Sequence, residues 1–178
     1  PVKHITTGEG GAITTNNKEF YKQLIILRSH GMTKDPASLK QHHGGWYYEM
    51  QSLGYNYRLT DFQAALGSAQ LSKSDRWTRR RRDLVARYDQ EFAELSMIKP
   101  QDHPETQNPS YHLYIIRVKE RRTLYDYLRE QNIYTQVHYI PIHLMPYYQK
   151  NYGTGPGQFP LAEAYYSEAL SLPLFPGM

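Results

Sequence analysis

The residue best suited to chemistry stands near the start of the chain: Lys3, between apolar Val2 and Ile5 and followed by Thr6-Thr7-Gly8-Glu9-Gly10-Gly11. A lysine held inward by a strand loses its proton more readily and becomes a nucleophile toward a carbonyl carbon, whereas an exposed one stays protonated up to about pH 10.4. The same spacing also fits a lysine whose stem lies along the surface with its head in water. Histidines are the next candidates. His42 and His43 are adjacent, so their rings diverge in any regular element, and His138 and His143 flank Pro141 without a ligand spacing. The chain has no Cys, which removes disulfides, thiolate nucleophiles and Cys-ligated metals. No metal is expected.

The densest charge lies at Arg76, Arg79, Arg80, Arg81, Arg82 and Arg87, with Trp77 among them. Such a run suggests a nucleic-acid surface. Four consecutive arginines on a helix, however, point around most of its circumference, and Asp75, Asp83, Asp89 and Glu91 stand near enough to pair with them. The net charge of +4 is mild, and no aromatic RNA-binding signature accompanies the run. No nucleic-acid partner is expected.

These residues must be positioned by 178 residues, enough for one ordinary domain or two small ones and too few for a complete (β/α)8 barrel. Leaving out the 17 Tyr and counting the 12 Gly gives roughly 36% apolar content, against about 45–50% for typical domains. The aliphatic core is therefore thin, while the aromatics argue against disorder. The longest apolar run, Leu24 to Leu27, is far too short for a membrane span or a signal-peptide core, and the expected location is cytoplasmic.

Residues 1–15 read as two β-prone runs around a Gly-rich turn. Asn16 and Asn17 can cap a helix with Phe20, Leu24 and Leu27 on one face, stopping at Gly31. Residues 32–57 lose all periodicity and are rich in aromatics, as in a binding or interface loop. Thr60 and Gln63 make a capping box, which opens helical character to about Leu95 with Leu84, Tyr88, Phe92 and Leu95 on one face and a break near Ser72-Lys73-Ser74. After the turn signals of 100–109, strand 111–118, helix 121–131 and strand 133–140 suggest a βαβ unit. A breaker-rich loop at 153–160, a helix at 161–170 and an apolar segment at 172–175 complete the chain.

Lys3-His4-Ile5-Thr6-Thr7-Gly8-Glu9-Gly10-Gly11 resembles the Schiff-base segment of the DegT/StrS sugar aminotransferases, which use pyridoxal 5'-phosphate (PLP). Arg28-Ser29-His30-Gly31-Met32, the block from Gly54 to Gly67, and Gln136-Val137-His138-Tyr139-Ile140-Pro141 resemble the family's later blocks in the family's order. Trp46-Tyr47-Tyr48-Glu49-Met50 is most similar to the branch that aminates C4 of a UDP-linked 4-keto-6-deoxy-N-acetylhexosamine on the route to pseudaminic acid. The resemblance implies an α/β fold, the C-terminal half of a fold-type-I (aspartate aminotransferase-like) PLP enzyme. It divides the chain into a remnant of the large PLP domain at 1–60, a connecting helix at 61–96 and a small domain at 97–178.

The same resemblance implies roles. Lys3 would bind the cofactor and shuttle the proton, with glutamate as amino donor and a UDP-sugar as acceptor. Asn56 would reach the cofactor phosphate and the substrate across a homodimer with shared active sites, and Gln136, Val137, His138 and Tyr139 would line the substrate site. Arg58 could meet the pyrophosphate or make a structural ion pair, and His112 is a further candidate. In relatives the segment before the lysine supplies most of the cofactor domain, so the chain reads as part of a longer enzyme, inactive alone. Two rivals remain: a noncatalytic sugar- or partner-binding module, and a PLP-family sugar dehydratase with histidine in place of the lysine, which Lys3 argues against.

Overall fold

Side chains that cap and clamp backbone groups organise this chain. The computed structural model describes residues 3–102 and 106–178 and divides into two units, one ending at Ser72 and the other spanning Lys73–Met178. Val2, the expected apolar neighbour of Lys3, and residues 103–105 of the turn region lie outside the described residues.

In the first unit Asn17 accepts hydrogen bonds from the N–H groups of Glu19 and Phe20 at 2.9 and 3.2 Å and so opens α1 (Lys18–Leu27). Thr60 and Gln63 form the reciprocal capping box of α2 (Asp61–Leu71). Between the helices, β1 (Met32–Thr33) and β2 (Glu49–Met50) pair antiparallel, with Thr33 opposite Glu49. The two β-prone runs expected at 1–15 form no strand among the described residues. Their polar groups are used locally instead: the Thr6 hydroxyl accepts the Gly8 N–H at 3.0 Å, and the Thr7 hydroxyl donates to the Glu9 carbonyl at 2.9 Å.

In the second unit helical structure resumes after Lys73 as α3 (Ser74–Phe92), so the expected break is present. Leu84 and Val85 are buried and Tyr88 and Phe92 pack beside them, whereas Leu95 falls beyond the helix and is 42% exposed. The sheet is antiparallel in the order β3 (Lys99–Pro100), β4 (Tyr114–Arg117), β5 (Ala169–Leu172), with Ile116 opposite both Pro100 and Leu170. The expected βαβ unit is therefore not formed. Residues 133–140 contribute a single bridge, Gln136 to Ser171, and β4 pairs with a strand from the stretch read as the end of a helix. The reason is burial: Ala169, Leu170 and Ser171 are all inside, and a short apolar run buried on both faces has no period to tell strand from helix. Tyr134 and Tyr139, at 65% and 68% exposed, could not sit in a buried strand. Around the sheet lie α4 (Arg121–Glu130), a 3-10 turn (Ile142–Leu144), α5 (Pro146–Tyr152) and α6 (Pro160–Glu168).

The arginine run holds this unit together through carbonyls rather than through the acids anticipated from sequence. Buried Arg81 donates to the carbonyls of Leu174, Tyr111 and His112 at 2.8, 3.2 and 3.4 Å. Arg82 donates to Asn108 and Pro109, and Arg80 to the carbonyl of Met178. Burial lowers the pKa of Arg81, yet its guanidinium remains a donor throughout the biological range. Beside it Tyr114, fully buried, donates to Asp89 at 2.7 Å and stacks on Tyr88 at 4.7 Å. Burial first, and the Asp89 hydrogen bond second, raise its phenol far above the ordinary tyrosine value.

Replacing Arg81 with Met should leave buried carbonyls unpaired and cost on the order of 3 kcal/mol. Exposed Arg79→Met should stay within about 0.5 kcal/mol. Urea unfolding of the two variants, followed by tyrosine fluorescence, checks the difference.

Candidate functional site

Lys3 is exposed in its unit, so the inward-facing lysine expected from a strand is not what the fold provides. The segment that follows it is nevertheless anchored. Gln63 donates from Nε2 to the Glu9 carbonyl at 2.8 Å, while its Oε1 accepts from the Thr60 N–H at 3.1 Å. One amide thus caps α2 and ties the lysine segment to the chain that follows Asn56. The Thr7 methyl lies against Gly67, where an added Cβ would stand 2.9 Å away. Gln63 was legible from sequence only as a helix cap; its second partner, far away in the chain, gave no local signal.

Asn56 is presented by a backbone crossing. Tyr55 donates to the Leu27 carbonyl and Tyr57 to the Arg28 carbonyl, both at 2.8 Å, and His30 donates to Tyr55 at 2.9 Å, making an isolated bridge between Ser29 and Asn56. The approach is so close that a Cβ on Gly31, whose φ is +70°, would lie 1.7 Å from the Ser52 carbonyl oxygen, and one on Gly54 would lie 2.2 Å from the Gly31 nitrogen. Only glycine fits at either point. The rings of Tyr55 and Tyr57 stack at 5.1 Å on one side of this extended segment, leaving the Asn56 amide exposed and without a hydrogen bond among the described residues. Arg58 is exposed and makes no ion pair among the described residues.

In the second unit Gln136 exchanges backbone hydrogen bonds with Ser171 at 3.1 and 2.8 Å, and its side chain accepts from the Val137 N–H at 2.9 Å. Val137 packs on the core, and His138 shares a 2.8 Å hydrogen bond between Nδ1 and the Ser171 hydroxyl. Tyr139 turns outward with its ring edge-on to His138 at 4.6 Å. β5 therefore holds Gln136 and His138 directly through Ser171. That serine was missed in sequence, although a lone hydroxyl inside Ala169-Leu170-Ser171-Leu172 must find a partner once buried.

His143, also buried, bonds through Nε2 to Glu163 at 2.8 Å, whereas His138 bonds through Nδ1 to Ser171. The Glu163 carboxylate also accepts the N–H groups of Gly157 at 2.8 Å and Phe159 at 3.4 Å. A groove of about 370 Å³ in the first unit, lined by Ile13, Phe20, Leu24 and Leu27 among others, includes none of the candidate residues.

The sequence profile of the DegT/DnrJ/EryC1/StrS aminotransferase family matches residues 1–178. A UDP-4-amino-4,6-dideoxy-N-acetyl-beta-L-altrosamine transaminase of Campylobacter jejuni is 37% identical over 181 residues, covering 97% of this chain and 45% of that protein. Among solved structures, Helicobacter pylori PseC, an aminotransferase involved in the biosynthesis of pseudoaminic acid, superposes with a TM-score of 0.82 at 32% identity, over 97% of this chain and 45% of that one. The putative sugar aminotransferase Spr1654 from Streptococcus pneumoniae, in its PMP form, gives a TM-score of 0.80 at 34% identity, over 94% of this chain and 41% of that one. The same protein is also solved in a PLP form. The chain thus spans somewhat under half the length of the relatives it matches.

The His143 hydrogen bond, before the backbone N–H groups, holds the Glu163 carboxyl below its ordinary value of 4.5. A carboxyl whose folded pKa is lowered contributes stability that is complete above its unfolded value and is lost as pH falls through the folded one. Unfolding midpoints should therefore drop below pH 4.5, and Glu163→Gln should flatten that slope while lowering the midpoint at neutral pH. Thermal melts of both proteins from pH 7 to pH 3 check this.

Proposed function

The chain belongs to the DegT/DnrJ/EryC1/StrS aminotransferase family, and from that membership we propose that it is the C-terminal part of an enzyme that transfers an amino group from glutamate to C4 of a UDP-linked 4-keto-6-deoxy-N-acetylhexosamine. The observation that carries the reading is Gln63, whose amide ties the lysine segment at Glu9 to the segment that follows Asn56. Two blocks far apart in sequence, each with a residue suited to the cofactor, are thereby fixed in one unit.

Pyridoxal phosphate is the cofactor of this family, and when bound it supplies the electron sink for moving an amino group. The donor set fits it. Lys3 offers a reachable primary amine that can form a covalent bond to a carbonyl carbon, and Asn56 offers a neutral amide N–H that can donate to a phosphate oxygen without adding charge. When not bonded to the cofactor, Lys3 Nζ would be free to accept and return a proton, as general acid–base catalysis requires. In the second unit Gln136 and Tyr139 turn polar groups outward for the hydroxyls and amide of a sugar, and Ser171 orients the His138 ring beside them. The branch assignment is supported by two relatives, a UDP-4-amino-4,6-dideoxy-N-acetyl-beta-L-altrosamine transaminase and an aminotransferase involved in the biosynthesis of pseudoaminic acid. Asn56 serves the site of the neighbouring subunit in a homodimer, which fits its exposed amide, without a hydrogen bond among the described residues.

In the complete protein, Lys3→Ala should abolish the borohydride-sensitive visible absorbance of the bound cofactor together with transamination. Retained turnover in that variant would exclude the assignment. Mixing Lys3→Ala with Asn56→Ala subunits should restore part of the activity, because heterodimers hold one site with both residues intact. Heterodimers shown to form but lacking activity would place Asn56 in its own subunit's site.

A further inference from the structure

The loop between β1 and β2 carries no regular structure, yet it is closed on itself by one carboxylate. Glu49 accepts the backbone N–H of Lys40 on both oxygens at 2.9 Å, the N–H of Gln41 at 3.0 Å, the Tyr47 hydroxyl at 3.0 Å and the Gln51 side-chain amide at 3.0 Å. Gln51 also donates to the Ser38 carbonyl at 3.1 Å, and the His43 ring meets Tyr47 edge-on at 4.7 Å. Gly44, at φ +125°, gives way to the Trp46 indole, which would stand 2.5 Å from any Cβ there. The Lys40 N–H, ahead of the other donors, holds the Glu49 carboxyl below its ordinary range, so at neutral pH it is fully an acceptor. A loop paired this way is rigid, but it leaves Trp46 73% and Tyr48 54% exposed. Its base, β2, lies a few residues before the Gly54 crossing that presents Asn56.

From this geometry we infer that Glu49 is a positioning residue: its carboxylate fixes the 40–48 loop so that Trp46 and Tyr48 meet the flat face of a ring in the substrate. The inference rests on the proposed sugar-nucleotide reading and adds to it which residues recognise the ring. That ring is a pyrimidine base or the C–H face of a hexose, both of which stack on indole and phenol. Because the latch holds the loop before binding, the ligand bears no cost of ordering it. A glutamine in place of Glu49 would offer one acceptor oxygen where four donors converge and would turn its own N–H2 toward them.

The test uses the complete enzyme and reads loop order apart from turnover. Glu49→Gln should speed hydrogen exchange of the Lys40 and Gln41 amides and raise KM for the keto-sugar nucleotide about tenfold, the equivalent of ordering one or two side chains, with kcat within about twofold. The half-reaction with glutamate should be unchanged. Trp46→Ala should raise KM similarly while the Lys40 and Gln41 amides stay protected, and the double variant should add little further. UMP protecting the loop from exchange in the wild-type enzyme would identify the base as the ring, and N-acetylglucosamine doing so would identify the sugar. The inference is overturned if Glu49→Gln loosens the loop with KM unchanged, if kcat and the glutamate half-reaction fall with it, or if neither probe protects the loop. Failure of the function itself is seen separately, as a wild-type enzyme that accepts glutamate's amino group but turns over no UDP-keto-sugar.

Discussion

Long parts of this chain run without a helix or strand to pair their backbone groups, and each buried or closed segment needs another partner for its N–H and C=O. With so thin an aliphatic core, side chains take that part. Arg81 gathers carbonyls from two distant segments of the second unit, Glu49 gathers amides from one loop of the first, Glu163 does the same ahead of α6, and Gln63 joins two segments. The division follows charge: guanidiniums collect carbonyls and carboxylates collect N–H groups, and each forms charge-assisted bonds stronger than those between neutral groups. Tyrosine completes the scheme, since its ring fills volume while its hydroxyl still finds an acceptor, as Tyr114 does on Asp89 and Tyr88 does on the Pro173 carbonyl.

What the sequence revealed were the features written locally. Asn17 and the Thr60–Gln63 box announce their helices because a cap needs only a few consecutive residues, and α4 begins where its pattern begins. The family was also legible, through the resemblance of whole blocks rather than through any single spacing. Features that depend on distant partners were hidden. The pairing of β4 with β5 across some fifty residues gave no local sign, and a βαβ pattern looked natural because strand, helix and apolar run followed in order. The arginines looked like partners for nearby acids because their actual acceptors are carbonyls, which every residue has and no sequence pattern marks.

The exposure of Lys3 and Asn56 follows from the same division of labour. Each is held by its backbone, Lys3 through the segment docked on Gln63 and Gly67, and Asn56 through the ladder to Ser29, while neither side chain has a hydrogen bond or ion pair among the described residues. On the proposed reading both groups are kept for a cofactor or substrate, and fixing the backbone around each gives precision without using up its polar atoms. The His138 ring shows the alternative, in which a hydroxyl from β5 sets the orientation of the side chain itself.

The contact of Gly31 with Gly54 has a consequence for how such chains can change. It pins the two ends of everything between them at a fixed, minimal separation, so the intervening excursion behaves as a detachable cassette. Provided that the β1–β2 pairs and the Glu49 latch are kept, lengthening or shortening it changes chiefly the entropy of closing a loop, about 0.6 kcal/mol for each doubling of length. Insertions or deletions in the loop between β1 and β2 that spare those pairs would therefore leave the presentation of Asn56 intact.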